Sequence, residues 1–225
     1  MDPYQWAKET NIYMSQDELA TLLQTNNPSL LVIDVRNEDN GGGRIAKSIH
    51  MPDGPSFSTL RVADISLHGN ADEEEGVVVQ KDILVFHCME SARRGPRCAK
   101  QLVDFLAAVK TRYGDNVTAA DDDDDKHGID RYFQKDCQTL VDWKPRICVL
   151  WGGADLWIRR FWKDEDLVEG FDSDYWGFGY EDSEEMNDDN DLIKGGHCHY
   201  VRPDDQPQTE WSSAGSSVTS TRTKK

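Results

Sequence analysis

The chain is short of three things, and each shortage excludes a class of protein. Its five cysteines are odd in number and not spaced in pairs, so no disulfide framework is expected. No apolar run approaches the length of a membrane span, and residues 1 to 15 are polar, without the apolar core of a secretory signal. The expectation is a soluble protein of a reducing compartment, cytosol or nucleus, with no membrane partner. Basic residues are also scarce, 25 against 42 acids for a formal charge of -17. No basic stripe is present, which argues against nucleic acid as a partner.

The acidity is local. Residues 164 to 191 hold thirteen acids and no Lys or Arg, and Asp121 to Asp125 add another five. With those two segments set aside, the remainder is close to neutral. The chain therefore divides into an N-terminal extension at 1–11, a folded domain at 12–165 with a solvated insertion at about 115–130, and a tail at 166–225. That tail is acidic, then Ser/Thr-rich, and is expected to be largely disordered. Its aromatics Tyr175, Trp176, Phe178 and Tyr180 are candidates for pinning its first part onto the domain.

Inside the domain, apolar runs alternate with helical patterns. Ser15 followed by Glu18 is a capping box, and Leu19, Leu22 and Leu23 give the helix behind it an apolar side. Leu30–Val35, Ile83–Phe86 and Ile147–Leu150 read as buried parallel strands. Leu102, Phe105, Leu106 and Val109 form one face of a helix expected to open at Pro96. Gly152-Gly153 opens a short helix with Trp157 and Phe161 four residues apart. This alternation calls for an α/β fold, a central parallel sheet with helices on both faces.

The chemistry concentrates at His87 to Cys98. Cys88 follows a strand, five residues separate it from Arg94, and Gly95-Pro96 leads into a helix. Such a loop, formed by Met89, Glu90, Ser91, Ala92, Arg93 and Arg94, is suited to a tetrahedral oxyanion. Its backbone N–H groups can turn inward, and the helix N-terminus adds partial positive charge. The Arg94 guanidinium can grip two oxygens in a planar fork. The same field is expected to bring the Cys88 thiol from ~8.5 toward the ~3.5–7.5 of activated cysteines, making it a nucleophile. Ser91 either donates its hydroxyl in the loop or only stabilises the turn. His87, Asp34 and Arg36 read as structural, tying strand ends to neighbouring loops. No metal or organic cofactor is required. Gly195-Gly196-His197-Cys198-His199 is one Cys and two His without a second cluster to complete four ligands, so no metal site is assigned.

The chain carries Ile-Asp-Val-Arg at 33–36, Gly-Gly-Arg-Ile-Ala-Lys-Ser-Ile-His-Met-Pro at 42–52, His-Cys-x5-Arg-Gly-Pro at 87–96 and Val-Leu-Trp-Gly-Gly at 149–153, in that order. Over about residues 10 to 165 the chain resembles the rhodanese-superfamily phosphatases and arsenate reductases, the small eukaryotic relatives of the M-phase-inducer dual-specificity phosphatases. The resemblance implies a rhodanese-like fold with Cys88 and Arg94 catalytic. Two reactions follow from it. One is hydrolysis of phosphate monoesters, including phosphoproteins, through a phosphocysteine. The other is reduction of arsenate, with glutathione and glutaredoxin as reductant. The seven-residue loop favours both over sulfur transfer. Arg93 stands where the inducer phosphatases carry an acid, and Val35 where a second cysteine often lies. Cys98 is then the candidate resolving thiol. A third reading is a non-catalytic module that binds an anion, with the acidic tail engaging a basic partner.

Overall fold

In a computed structural model, residues 1–69, 79–113 and 138–177 are described. The insertion expected at 115–130, the tail beyond 177 and His197-Cys198-His199 lie outside them. Five strands form one parallel sheet in the order β1-β6-β5-β2-β4: β1 (Tyr13–Met14), β2 (Leu30–Asp34), β4 (Ile49–His50), β5 (Ile83–His87) and β6 (Arg146–Leu150). A second, antiparallel pair joins β3 (Arg44–Ile45) to β7 (Val168–Glu169). The helices are α1 (Pro3–Glu9), α2 (Gln16–Gln24), α3 (Thr59–His68), α4 (Arg94–Tyr113), α5 (138–142), α6 (Gly153–Phe161) and α7 (Ser173–Trp176).

The strands look uniformly apolar in sequence because both sheet faces are covered, yet the period of two survives in the packing. Leu31, Ile33 and Val35 of the β2 segment join Leu84, Phe86 and Val149 in one core beneath α1, α3, α4 and α5. Val32, Val85, Cys148 and Leu150 point the other way, into a core with Leu19 and Leu23 of α2 and Trp157 and Ile158 of α6. Both faces thus carry helices, as the alternation of elements requires.

Several boundaries differ from expectation. Helix α4 begins at Arg94, two residues before Pro96, so Pro96 sits third in the helix and still needs no N–H partner. The capping box is half formed. Ser15 Oγ accepts from Glu18 N at 3.2 Å, but the Glu18 carboxylate pairs with Arg146 at 2.5 Å instead of reaching back. The first eleven residues, expected as a loose extension, include α1, whose Ala7 is fully buried.

Residues 166–177, expected as the start of the tail, pack against the domain. Leu167 and Val168 are buried, Leu167 O accepts from Trp157 Nε1 at 3.0 Å, and Trp162 stacks near Phe171 at 5.2 Å. A few apolar side chains set among acids anchor this segment, and a composition averaged over 164 to 191 hides them. Trp176 docks on the domain, its Nε1 donating to Gly42 O at 2.6 Å, and the Tyr175 ring lies beside Gly41 and Gly42 while remaining half exposed. Phe178 and Tyr180 lie outside the described residues. Among the described residues, no helix is long and apolar enough to cross a membrane.

Candidate active-site loop

Strand β5 is the middle strand of the sheet, and Cys88 follows it at the carboxyl end, the side where open α/β sheets place ligands. From there the chain turns through Ser91, held in the left-handed region at φ 55°, and enters α4 at Arg94. That conformation costs a non-glycine residue about 1–2 kcal/mol, so the surroundings must enforce it.

The enforcement comes from the carbonyls. Cys88 O and Met89 O accept from the first N–H groups of α6, Ala154 and Asp155, each at 2.9 Å. Ser91 O accepts from the Tyr13 hydroxyl at 3.3 Å, and Arg93 O from Arg97 N at 3.0 Å. With these carbonyls bonded outward, the N–H groups are left over. Among the described residues, none from Met89 to Arg93 meets an acceptor. Unmatched backbone donors at a helix N-terminus favour negative charge beside them. The Ser91 hydroxyl is another donor in the loop, buried and without a partner. It lies 3.5 Å from where a β-carbon on Gly95 would sit, so it points toward the helix entrance and not away from the loop.

Gly153 makes the outward bonding possible. Its φ is +62°, and a β-carbon there would lie 2.4 Å from Met89 O and 2.5 Å from Cys88 O. Only glycine lets α6 approach the back of the loop so closely. Gly153→Ala should therefore lower unfolding free energy by roughly 2 kcal/mol or more, from left-handed strain plus backbone overlap. Urea titration checks this, and an unchanged midpoint contradicts the buttress.

Cys88 is 3% exposed, and the Arg94 guanidinium attracts it. Arg94 also holds Asp39, from the 3₁₀ turn Glu38–Asn40, through both ends: Nη1 donates to Oδ1 at 2.6 Å and Nη2 donates to Oδ2. Those bonds hold the Asp39 carboxyl down to about 2 and push Arg94 above its ordinary value. Asp39 was not singled out from the sequence. The signal was available only as topology: β2 and β5 pair in parallel, so the segment leaving β2 emerges beside the Cys88 loop.

Beneath the loop lies a buried polar group. Arg36, fully buried, donates from Nε and Nη2 to Asp34 at 3.0 and 2.7 Å and from Nη2 to Gly43 O at 2.9 Å. Burial works to raise the Asp34 carboxyl, but His87 and Arg36 outweigh it and leave it below its ordinary value. This pair ties the strand end to the 37–43 segment, as the sequence suggests.

His87 is fully buried; its ring nitrogens accept or donate no hydrogen bond, although Nδ1 lies 3.9 Å from Asp34 Oδ1. Burial pushes its pKa down to about 4, against the pull of Asp34. The unfolded chain therefore binds a proton there that the folded protein refuses between about 6.5 and about 4. Stability from this group is present above that window and falls as pH drops through it, by on the order of 3 kcal/mol in total. Chemical denaturation from pH 7 to 4 should show the decline, and His87→Gln should flatten it. An equal slope in the variant contradicts the assignment.

Cys98 lies one turn into α4, fully buried, its thiol donating to Asp53 Oδ1 at 3.4 Å. Burial pushes that thiol up to about 12, the surroundings of a core cysteine. Glu90 and Arg93 are exposed on the loop's rim, and Met89 and Ala92 are half-buried. Among the described residues, no group of His, Cys, Asp and Glu could hold a metal.

No family model matches the chain. It is 26% identical over 157 residues to the dual specificity phosphatase ibp1 of Schizosaccharomyces pombe, covering 70% of this chain and 95% of that one. It is 39% identical over 92 residues to the dual specificity phosphatase Cdc25 of Arabidopsis thaliana, covering 39% of this chain. It is 31% identical over 102 residues to arsenate reductase 2.1 of Oryza sativa, covering 45% of this chain. The matches span 53% and 57% of the two plant proteins. Among solved structures, the yeast protein Ygr203w, described as a tyrosine phosphatase of the rhodanese family, is 22% identical with a TM-score of 0.46, over 73% of this chain and 95% of that one.

Proposed function

We propose that this chain, a relative of the rhodanese-superfamily phosphatases and arsenate reductases, is a cysteine-dependent phosphatase acting on phosphate monoesters, phosphoproteins among them. The observation that carries the proposal is the run of backbone donors from Met89 to Arg93. It faces no acceptor among the described residues and lies between Cys88 and Arg94. A phosphoryl group seated there would take its hydrogen bonds from those N–H groups, from Ser91 Oγ and from Arg94. Cys88 Sγ, as thiolate, attacks phosphorus, the P–O bond to the leaving group breaks, and the departing oxygen takes a proton. Water then hydrolyses the S–P bond and releases phosphate. The donors are fixed before reaction, so developing charge is met without reorganisation.

A second reading uses the same loop on arsenate. Cys88 Sγ would displace an arsenate oxygen, which leaves as water. The thiol of glutathione would then attack Cys88 Sγ, the S–As bond breaking to release arsenite with its electron pair. Glutaredoxin with a second glutathione would reduce the resulting Cys88–glutathione disulfide. Arg93, exposed at the position where the inducer phosphatases carry an acid, favours this reading, as does the rice relative named an arsenate reductase.

A paired assay on one preparation tests the proposal: aryl phosphate hydrolysis beside arsenate reduction with glutathione and glutaredoxin. Hydrolysis is the expected result. Arsenate reduction alone would replace the first reading by the second. Neither activity, with Cys88 alkylated no faster than an ordinary thiol at pH 6, would leave an anion-binding module.

A further inference from the structure

We infer that Asp39 is a positioning residue for the anion clamp, locking the Arg94 guanidinium by its outer edge so that its inner edge faces the Cys88 loop. The inference rests on the phosphatase reading and adds to it a residue outside the loop motif.

The argument starts from the shape of the guanidinium, which presents two forks. One is formed by the two Nη atoms, the other by Nε and one Nη. Asp39 takes the first, with Nη1 on Oδ1 and Nη2 on Oδ2. The second is unused by Asp39 and remains for an oxyanion. The charge on Arg94 also acts on Cys88, so one guanidinium serves both carboxylate and nucleophile.

An arginine alone would be a poor clamp, because four side-chain torsions must be fixed each time an anion binds. Pairing one fork to a rigid carboxylate fixes them beforehand. The carboxylate here is held by its own turn. Asp39 Oδ1 also accepts from Asn37 N at 3.0 Å. Its turn is braced on both sides, with Arg36 Nη2 on Gly43 O at 2.9 Å and Asn40 Nδ2 against the His50 ring at 3.2 Å. His50 Nε2 lies 2.8 Å from Arg36 O, and Trp176 Nε1 donates to Gly42 O at 2.6 Å. So the buried Asp34–Arg36 pair and α7 both converge on the segment that carries Asp39. Without this role, nothing in the loop motif requires a braced carboxylate on the neighbouring connection.

The competing idea is that Asp39 plugs the clamp and must be displaced. It predicts the opposite sign, so one experiment separates the two. Iodoacetate carries an anion that the clamp can hold, whereas iodoacetamide does not. Alkylation of Cys88 by each, followed on the Cys88 peptide by mass spectrometry, gives a ratio that reads the clamp without turnover. Wild type is expected to favour iodoacetate. Asp39→Asn should bring the ratio down to that of Arg94→Lys, and Asp39→Glu should restore part of it. In turnover, Asp39→Asn should lower kcat/KM by about tenfold or more, chiefly through kcat. A ratio in Asp39→Asn equal to or above that of wild type overturns the positioning role while leaving the clamp intact. No preference for iodoacetate in wild type itself would overturn the anion-clamp reading, and the positioning role with it.

Discussion

Cys88→Ser should abolish turnover while leaving the fold and the anion site in place. Serine fits the 3%-exposed position with little change of volume, and the carbonyl bonds that shape the loop belong to the backbone. What is lost is the nucleophile. A serine hydroxyl stays protonated near neutral pH, and none of the described side chains around Cys88 is an evident base for it. His87 is fully buried, and the charged group its Nδ1 approaches is Asp34, not Cys88. The expected loss in kcat is at least ~10⁴-fold, in line with removal of a nucleophile elsewhere. Inorganic phosphate should still bind the variant, measured by calorimetry, because its donors are untouched. Turnover within about tenfold of wild type, one order against the four expected, would remove Cys88 from the chemistry.

Arg94→Lys should be the second most damaging change. Lysine keeps the charge but not the planar fork, and it cannot hold Asp39 and an oxyanion at once through fixed edges. Removing one donor of an oxyanion site costs on the order of 10²–10³ in kcat. Arg94→Lys is expected in that range on an aryl phosphate, with a smaller effect on phosphate affinity, since a positive charge remains nearby. A loss below about threefold would mean that charge alone matters at this position and that the fork geometry is idle.

The contrast between what sequence did and did not foretell follows from range. The Cys88 loop was legible because the pattern that marks it is local: an apolar run ending at Phe86, a fixed spacing to Arg94, and Gly95-Pro96 at a helix start. The parallel sheet was legible from the order of elements, and its central strands from their apolar runs. What escaped depends on contacts distant along the chain. Asp39 meets Arg94 across 55 residues, and Tyr13 reaches Ser91 O across 78. Gly153 stood within a motif whose resemblance was noted, but its reason, the close approach of α6 to the Cys88 and Met89 carbonyls, is visible only in three dimensions. The segment around Leu167 and Val168 was assigned to the tail because its acids dominate any average, while two buried side chains decide its place.

The account stands most directly on a covalent bond between Cys88 and phosphorus. Acid quenching during turnover of an aryl phosphate, followed by peptide mass analysis, would look for it. The expected result is one phosphoryl mass on the peptide carrying Cys88, absent in Cys88→Ser. Steady hydrolysis with no such adduct under conditions that preserve a phosphothiolester, or an adduct on another residue, would contradict the account.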